Sequence, residues 1–325
     1  MSDRRQEKQE QTQLKQTQLK QTQQQAQTQQ PQPAARNHRR QERAFITGFE
    51  PFGNPRPATN ISWQTVADLD GAVISTAAAD VELVVREIPV EYAPVSTLVP
   101  QVHRLGTAAP IVARRDKTGS LPADTQPGEL FTYYIHVGAG KHEPCVYIET
   151  VAHRDGYDKP GNDGPADLPP EGRAHYRHAI DIPPVHDDDE HGDDDNKDST
   201  DEDGDAADPH PCCYAAARHT TTVDVAALVK HLREKRGWTH TAPSTDAGRY
   251  LCEYTFYTSM GETARKARNG AKEAGLDRAS AIAEHALRER ALFVHLPPDG
   301  MIYSAAQMRQ IVHDIVEWLA AVQNA

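Results

Sequence analysis

Short apolar segments alternate with amphipathic helical segments along most of the chain, and this alternation restricts the fold more than any other feature. The apolar segments have the length and composition of buried strands, and they occupy residues 44–49, 81–90, 131–137, 145–151 and 291–295. The helical segments have apolar residues at three- and four-residue spacing, and they occupy residues 61–69, 93–105, 223–236 and 304–322. This order predicts an α/β domain with a mainly parallel sheet that helices cover on both faces.

Two polar segments stand apart from this pattern. Residues 1–42 contain 15 Gln and only six apolar residues, and residues 186–208 contain 13 acidic residues against one Lys. The acidic segment alone matches the formal net charge of −12 of the whole chain, so the remainder is nearly neutral. We predict a disordered Gln-rich tail over residues 1–42. Residues 43–325 are then the α/β domain, with a disordered acidic insertion at about 186–208.

The composition argues against several classes of protein. No run of about 18 apolar residues occurs, and the first 30 residues lack the apolar core of a signal peptide. We therefore expect a cytoplasmic protein without a membrane partner. The basic cluster at residues 36–43 has no aromatic residues to stack on bases, so no nucleic-acid partner is expected. The sequence leaves the oligomeric state open.

The four cysteines, in a chain without a secretion signal, indicate free thiols, a metal site or catalysis rather than a disulfide framework. Cys212 and Cys213 are adjacent, which makes a strained disulfide, and we interpret them as structural or incidental. Cys252 follows a Gly-Arg-Tyr-Leu run and is expected to open a helix that runs toward Thr263. The N-terminus of a helix stabilises a thiolate, so Cys252 is a candidate nucleophile. The alternative is a small buried hydrophobic residue.

A base and an orienting acid occur in two other segments. His295 ends the apolar segment of residues 291–295 and is followed by Leu296 and two prolines. Its ring is therefore expected at the carboxyl edge of the sheet, where a cysteine could reach it. Glu149 lies in the apolar segment of residues 145–151, where a buried carboxylate needs a partner such as an imidazolium ring. The alternatives are a structural His and a carboxylate that faces water or a basic side chain.

Four segments resemble the type I pyroglutamyl peptidases, which are cysteine peptidases that remove N-terminal 5-oxoproline. They read Thr-Gly-Phe-Glu-Pro-Phe-Gly at 47–53, Asn-Ile-Ser-Trp at 60–63, Asp-Ala-Gly-Arg-Tyr-Leu-Cys at 246–252 and Phe-Val-His-Leu-Pro-Pro at 293–298. The similarity spans residues 44–325 and is greatest to animal-type members around Cys252. It implies a single three-layer α/β/α domain with a twisted, mostly parallel mixed sheet.

The resemblance also implies roles for three catalytic positions. Cys252 matches the nucleophile, His295 its general base and later acid, and Glu149 the group that orients the imidazole. The reaction implied is hydrolysis of the peptide bond after an N-terminal pyroglutamyl residue through a thioester intermediate. No metal and no cofactor is implied.

The same resemblance implies a pocket for the substrate's lactam ring. Phe49 and Phe52 match the two residues that hold the flat ring, and Tyr250 and Leu251 match further pocket positions. An aromatic slot suits pyroglutamate because its lactam nitrogen carries no charge, unlike an ordinary N-terminus. The partners implied are small peptides with N-terminal pyroglutamate.

The sequence departs from the family in two places. Bacterial members have a Gln after the Val-Gly pair, where this chain has Ala139 after Gly138, and an Arg in the loop after the Glu strand. The loop here, residues 153–157, reads His-Arg-Asp-Gly-Tyr and does not match that arginine. We therefore expect backbone N–H groups near Cys252 to stabilise the oxyanion.

Two other functions are considered from the residues. One is a catalytically idle interaction protein that uses the tail or the acidic insertion, and the presence of all three catalytic positions argues against it. The other is a nucleoside phosphorylase-like enzyme, which needs a phosphate loop. The Gly-Ala-Gly-Lys run at 138–141 lacks the required spacing, and the acidic insertion lacks the fixed glycine and terminal Glu of a calcium loop.

Overall fold

The computed structural model describes residues 39–106, 130–140, 143–169, 172–174, 216–274 and 290–322, without the side chains of residues 268–274. Residues 1–38, the acidic insertion and the Cys212–Cys213 pair lie outside these ranges. The predictions of a disordered tail and a disordered insertion therefore concern segments that the structure does not describe. No helix within the described ranges is long and apolar enough to cross a membrane.

The described ranges contain nine strands and five α-helices. In chain order they are β1 Arg40–Phe49, α1 Ile61–Val66, β2 Val73–Ser75, β3 Ala79–Ile88, α2 Tyr92–Leu105, β4 Tyr133–Ala139, β5 Val146–Glu149, β6 Val151–His153, β7 Arg218–Thr220, α3 Val225–Arg236, β8 Thr241–Ser244, α4 Leu251–Ala274, β9 Arg290–Leu296 and α5 Ala305–Val322. Every predicted strand and helix within the described ranges has a counterpart here, and α2 continues through Pro100 as expected.

Seven strands form one twisted sheet in the order β2-β3-β1-β4-β9-β5-β8. The central strands β3, β1, β4 and β9 are parallel to one another. β5 is antiparallel to β9, and β8 is parallel to β5. β2 closes the other edge in antiparallel pairing with β3. The predicted mostly parallel mixed sheet is therefore confirmed.

Helices pack on both faces of this sheet, because successive residues of each strand point to opposite sides. Ile46, Val137 and Val294 belong to one apolar cluster, together with buried residues of α1, α3 and α5. Phe45 and Phe293 belong to a second cluster, together with buried residues of α2 and α4. The result is the expected three-layer α/β/α arrangement, in which α2 and α4 share one face.

The structure corrects three boundaries. β1 begins at Arg40, inside the segment assigned to the tail, because residues 40–42 pair in register with β3. The single strand predicted over residues 145–151 is two strands that belong to different sheets, since β6 pairs with β7. Helix α4 continues past Thr263 to Ala274.

The strands that the sequence analysis missed are short. β2, β6 and β7 have three residues each and β8 has four, which is too few for a period-two pattern to be distinguished from a loop. β8 also contains Pro243, which usually argues against a strand. It is tolerated here because β8 lies at the edge of the sheet.

Candidate active site

His295 and Glu149 come together through the antiparallel pairing of β9 with β5. His295 is opposite Tyr147 in the register, and Glu149, two residues farther along, faces the same side of the sheet. Nδ1 of His295 donates to Oε1 of Glu149 over 2.8 Å. Both side chains are buried, with 8% exposure for His295 and 1% for Glu149. The carboxylate therefore fixes the ring so that Nε2 is left for another partner.

Cys252 approaches the same point from the first turn of α4, which begins at Leu251. Gly138 in β4 permits this approach. A Cβ atom at that position would lie 2.9 Å from Sγ of Cys252 and 2.8 Å from the Phe293 ring, too close for any other residue without a shift. Gly138 pairs with His295 between β4 and β9, so the Cys252 sulfur lies on the same side of the site as the His295 ring, and it acts on that ring electrostatically. Cys252, His295 and Glu149 thus form one group of neighbouring side chains.

The electrostatic interactions within this group of three side chains favour a protonated His295. Burial alone lowers the pKa of the ring, because it disfavours the charged form. Cys252 and the Glu149 carboxylate oppose this effect and raise the pKa of His295 to about 9. The ring is therefore an imidazolium over the neutral pH range, beside the Cys252 sulfur.

The turn in front of Cys252 is held by Glu253, which the sequence analysis overlooked. Glu253 is fully buried. Its carboxylate accepts the backbone N–H of Arg249 at 2.7 Å, the Arg249 guanidinium at 2.6 Å and the backbone N–H of His153 at 2.9 Å. Arg249 has a positive φ of 49°, a conformation that needs such support. A Glu at the third position of a helix often accepts backbone hydrogen bonds in this way.

Two arginines of this chain lie near the positions discussed for the arginine of the bacterial family members. The loop after β6 places Arg154 beside Asp155 at 3.3 Å. Arg249, from the turn in front of Cys252, instead forms the ion pair with the first turn of α4. Arg249 thus supports the turn in front of Cys252.

The four predicted pocket residues surround Cys252. Phe49, Phe52, Tyr250 and Leu251 line a small pocket that also includes Cys252. The sequence analysis had not assigned three further lining residues, which are Asn60, Val90 and Ala139. Apart from the Cys252 thiol, none of the lining residues is acidic or basic, so the pocket suits an uncharged, flat group.

Hydrogen bonds fix the loop that carries the two phenylalanines. The N–H of Phe49 donates to Oγ of Ser62 at 2.9 Å, and that hydroxyl donates to Oδ1 of Asn60 at 2.9 Å. Asn60 in turn donates to the Glu50 carbonyl at 3.0 Å. A Cβ atom at Gly48 would lie 2.7 Å from Cα of Trp63. These contacts hold the sequence segments at residues 47–53 and 60–63 against each other.

Two other sequence features prove to have structural roles. The N–H of Gly140 donates to the Leu296 carbonyl at 2.8 Å, so it cannot cradle a phosphate. Cys145 is a free thiol at the start of β5, and burial is the main cause of its raised pKa. Cys145 is therefore a poorer nucleophile than a thiol beside an imidazolium.

Comparison with known proteins gives relatives of one kind. No protein-family model matches the chain. Curated pyroglutamyl-peptidase 1 proteins of Rattus norvegicus and Homo sapiens are each 25% identical to it, over 85% and 84% of this chain and 89% and 87% of their own lengths. Pyroglutamyl peptidase I of Bacillus amyloliquefaciens has a TM-score of 0.52 at 17% identity, covering 87% of this chain and 98% of that chain.

A variant pyrrolidone carboxyl peptidase from Pyrococcus furiosus has a TM-score of 0.50 at 17% identity, covering 87% of this chain and all of that chain. At such identities the structural likeness establishes the fold. The sequence similarity adds a relationship that extends over most of the chain. In sequence and in fold, this protein is a relative of the type I pyroglutamyl peptidases.

Proposed function

We propose that this protein is a cysteine omega-peptidase that hydrolyses the peptide bond after an N-terminal pyroglutamyl residue. One observation carries the proposal: Cys252 lies with the hydrogen-bonded pair of His295 and Glu149 beside an aromatic pocket. The similarity to pyroglutamyl-peptidase 1 proteins supports the same substrate class. The groups present account for each chemical step.

In the first half-reaction the Cys252 thiolate attacks the carbonyl carbon of the pyroglutamyl residue and a C–S bond forms. The negative charge moves to the carbonyl oxygen in the tetrahedral intermediate. When the C–N bond breaks, the His295 imidazolium gives its proton to the departing amine, which would otherwise be too basic to leave. A pyroglutamyl thioester on Cys252 and a free peptide amine result.

In the second half-reaction the now neutral His295 removes a proton from water, which attacks the thioester carbonyl. The C–S bond breaks, free pyroglutamate leaves and the thiolate–imidazolium pair is restored. Glu149 keeps its negative charge throughout. It orients the ring through Nδ1 and stabilises the imidazolium that forms in each cycle.

Backbone N–H groups are the proposed donors to the oxyanion. The first turn of a helix leaves its N–H groups without partners inside the helix, and among the described residues none accepts from those of Leu251 and Cys252. The N–H of Arg249 is unavailable because Glu253 binds it. A preorganised donor of this kind typically accelerates acyl transfer by about 10²- to 10³-fold.

A direct test measures release of a fluorescent amine from a pyroglutamyl amide by the purified protein. We expect turnover of the pyroglutamyl substrate. The matched glutamyl and prolyl amides should not be cleaved, because a charged N-terminus would lose its hydration in a pocket without a countercharge. Cleavage of all three amides at similar rates, or of none, would contradict the proposed function.

Glu149→Gln is expected to move the alkaline limb of the pH–rate profile to lower pH. His295 must be protonated to donate to the leaving amine, and its pKa of about 9 places this limb near pH 9 in the wild type. Because the carboxylate favours the charged ring, its loss lowers the pKa of His295, by about 1 to 3 units for a lost opposite charge. The measurement is kcat/KM against pH for both proteins, because kcat/KM reports the pKa values of the free enzyme.

The matched control is Glu234→Gln, which removes a carboxylate from the exposed surface of α3. Its alkaline limb should coincide with that of the wild type. An unchanged limb in Glu149→Gln, or a shift to higher pH, would show that Glu149 does not support the imidazolium.

A further inference from the structure

A groove adjoins the lactam pocket and shares two of its walls. Phe52 and Tyr250 line both spaces. The groove is much larger and more open than the pocket. It runs between the loop after β1 and the loop at residues 159–162. Because the pocket and the groove share Phe52 and Tyr250, a peptide whose first residue fills the pocket would reach the groove with its next residues.

The walls of the groove are fixed by hydrogen bonds. The Asn162 side chain donates to Oε1 of Glu50 at 2.7 Å and to the Pro51 carbonyl at 3.1 Å. The Tyr250 hydroxyl donates to the Pro160 carbonyl at 3.1 Å. A Cβ atom at Gly161 would lie 2.5 Å from the Val90 carbonyl oxygen, so the loop fits closely only with glycine there. The groove is therefore built before any ligand arrives.

The charge inside the groove is positive. Arg56 lines it from one loop and Lys159 from the other, and no acidic residue lines it. Both side chains are exposed, and neither forms an ion pair with any other residue that the structure describes. The Glu50 carboxylate does not line the groove, and it is engaged by Asn162 and by the Val90 N–H. Two cations are thus available to a ligand.

We propose that this groove receives the peptide released after the pyroglutamyl residue and favours peptides that carry a carboxylate there. This inference rests on the proposed function and adds a substrate class to it. The lactam pocket is uncharged, so it selects the first residue by shape. Arg56 and Lys159 then add an electrostatic preference for the second part of the peptide, through ion pairs to a side-chain or C-terminal carboxylate.

The test compares three peptides: pyroglutamyl-glutamyl amide, pyroglutamyl-glutaminyl amide and pyroglutamyl-glutamine with a free C-terminal carboxylate. For each, kcat/KM is measured at low ionic strength. Exposed ion pairs are individually weak, so we expect the two carboxylate-bearing peptides to be preferred over the neutral one by about 5- to 10-fold. The two peptides that carry a carboxylate distinguish a preference for a side-chain carboxylate from a preference for a C-terminal one. Salt at about 0.5 M should remove the preference.

The variants are Arg56→Gln with Lys159→Gln, and Arg56→Glu with Lys159→Glu. The first pair should remove the preference and the second should reverse it, while Lys230→Gln, an exposed cation on α3, should leave it unchanged. Lys230→Gln should also cleave a neutral pyroglutamyl fluorogenic amide at the rate of the wild type. Equal kcat/KM for the three peptides in the wild type would overturn the inference without affecting the proposed function.

If none of the three peptides is cleaved, the proposed function is contradicted, but the inference about the groove is still to be tested. The same three peptides are then titrated against the protein, and equal dissociation constants would overturn the inference about the groove as well. A preference for the carboxylate-bearing peptides that Arg56→Gln with Lys159→Gln abolishes would support it as a binding property.

Discussion

Cys252→Ser lowers kcat/KM on a pyroglutamyl amide by at least ~10³-fold, the size of effect expected on loss of a catalytic nucleophile. A hydroxyl stays protonated where a thiol ionises, so the Ser variant cannot form the ion pair with His295 that precedes attack. Substrate binding should persist, since the pocket of Phe49 and Phe52 is unchanged. The measurements are kcat/KM and the dissociation constant of the uncleaved substrate.

Cys145→Ser is the matched control, because Cys145 is the other free thiol among the described residues and lies outside the pocket. Its activity should equal that of the wild type. Hydroxylamine provides a second readout, since it intercepts a thioester as pyroglutamyl hydroxamate. We expect this product with the wild type and none with Cys252→Ser. Full turnover by the Ser variant would rule out Cys252 as nucleophile.

His295→Ala is expected to cause the second large loss, again about 10³-fold on an amide. The ring has two tasks: it stabilises the thiolate, and it protonates the leaving amine. An ester with a phenolate leaving group needs no such proton. The variant should therefore lose much more activity on a pyroglutamyl amide than on a pyroglutamyl phenyl ester. The measurement is the ratio of the two kcat/KM values.

His240→Ala serves as the control, because His240 is exposed and precedes β8. Its ratio should match that of the wild type. Equal losses on amide and ester in His295→Ala would mean that the ring only supports the thiolate. No loss on either substrate would exclude His295 from the reaction.

Much of the fold could be predicted because its central strands are buried on both faces. Strands with this environment are continuous apolar runs, so the buried parts of β1, β4 and β9 are visible in the sequence. The short strand β8 at the sheet edge lacks such a pattern. The reversed direction of β5 is invisible as well, because pairing direction depends on where the chain returns after a long connection.

The residues of the candidate site also fall into those that the sequence predicted and those that it did not. Cys252 precedes an amphipathic helical run and His295 ends an apolar strand, so local pattern predicted the position of each. Glu253 and Arg249 escaped notice because a buried ion pair leaves no periodic signal. The groove between the loops at 52–56 and 159–162 was also missed, since it depends on the hydrogen bonds of Asn162.

The sequence by itself determined which chemical groups this protein has and on which elements they lie: a thiol at a helix start, an imidazole at a strand end and an aromatic loop. Only the tertiary structure decided that they meet. Glu149 and His295 are 146 residues apart in the chain. They come within a hydrogen bond because β5 runs antiparallel to β9 in one particular register. That register is set by side-chain packing across the whole sheet, which no local segment encodes.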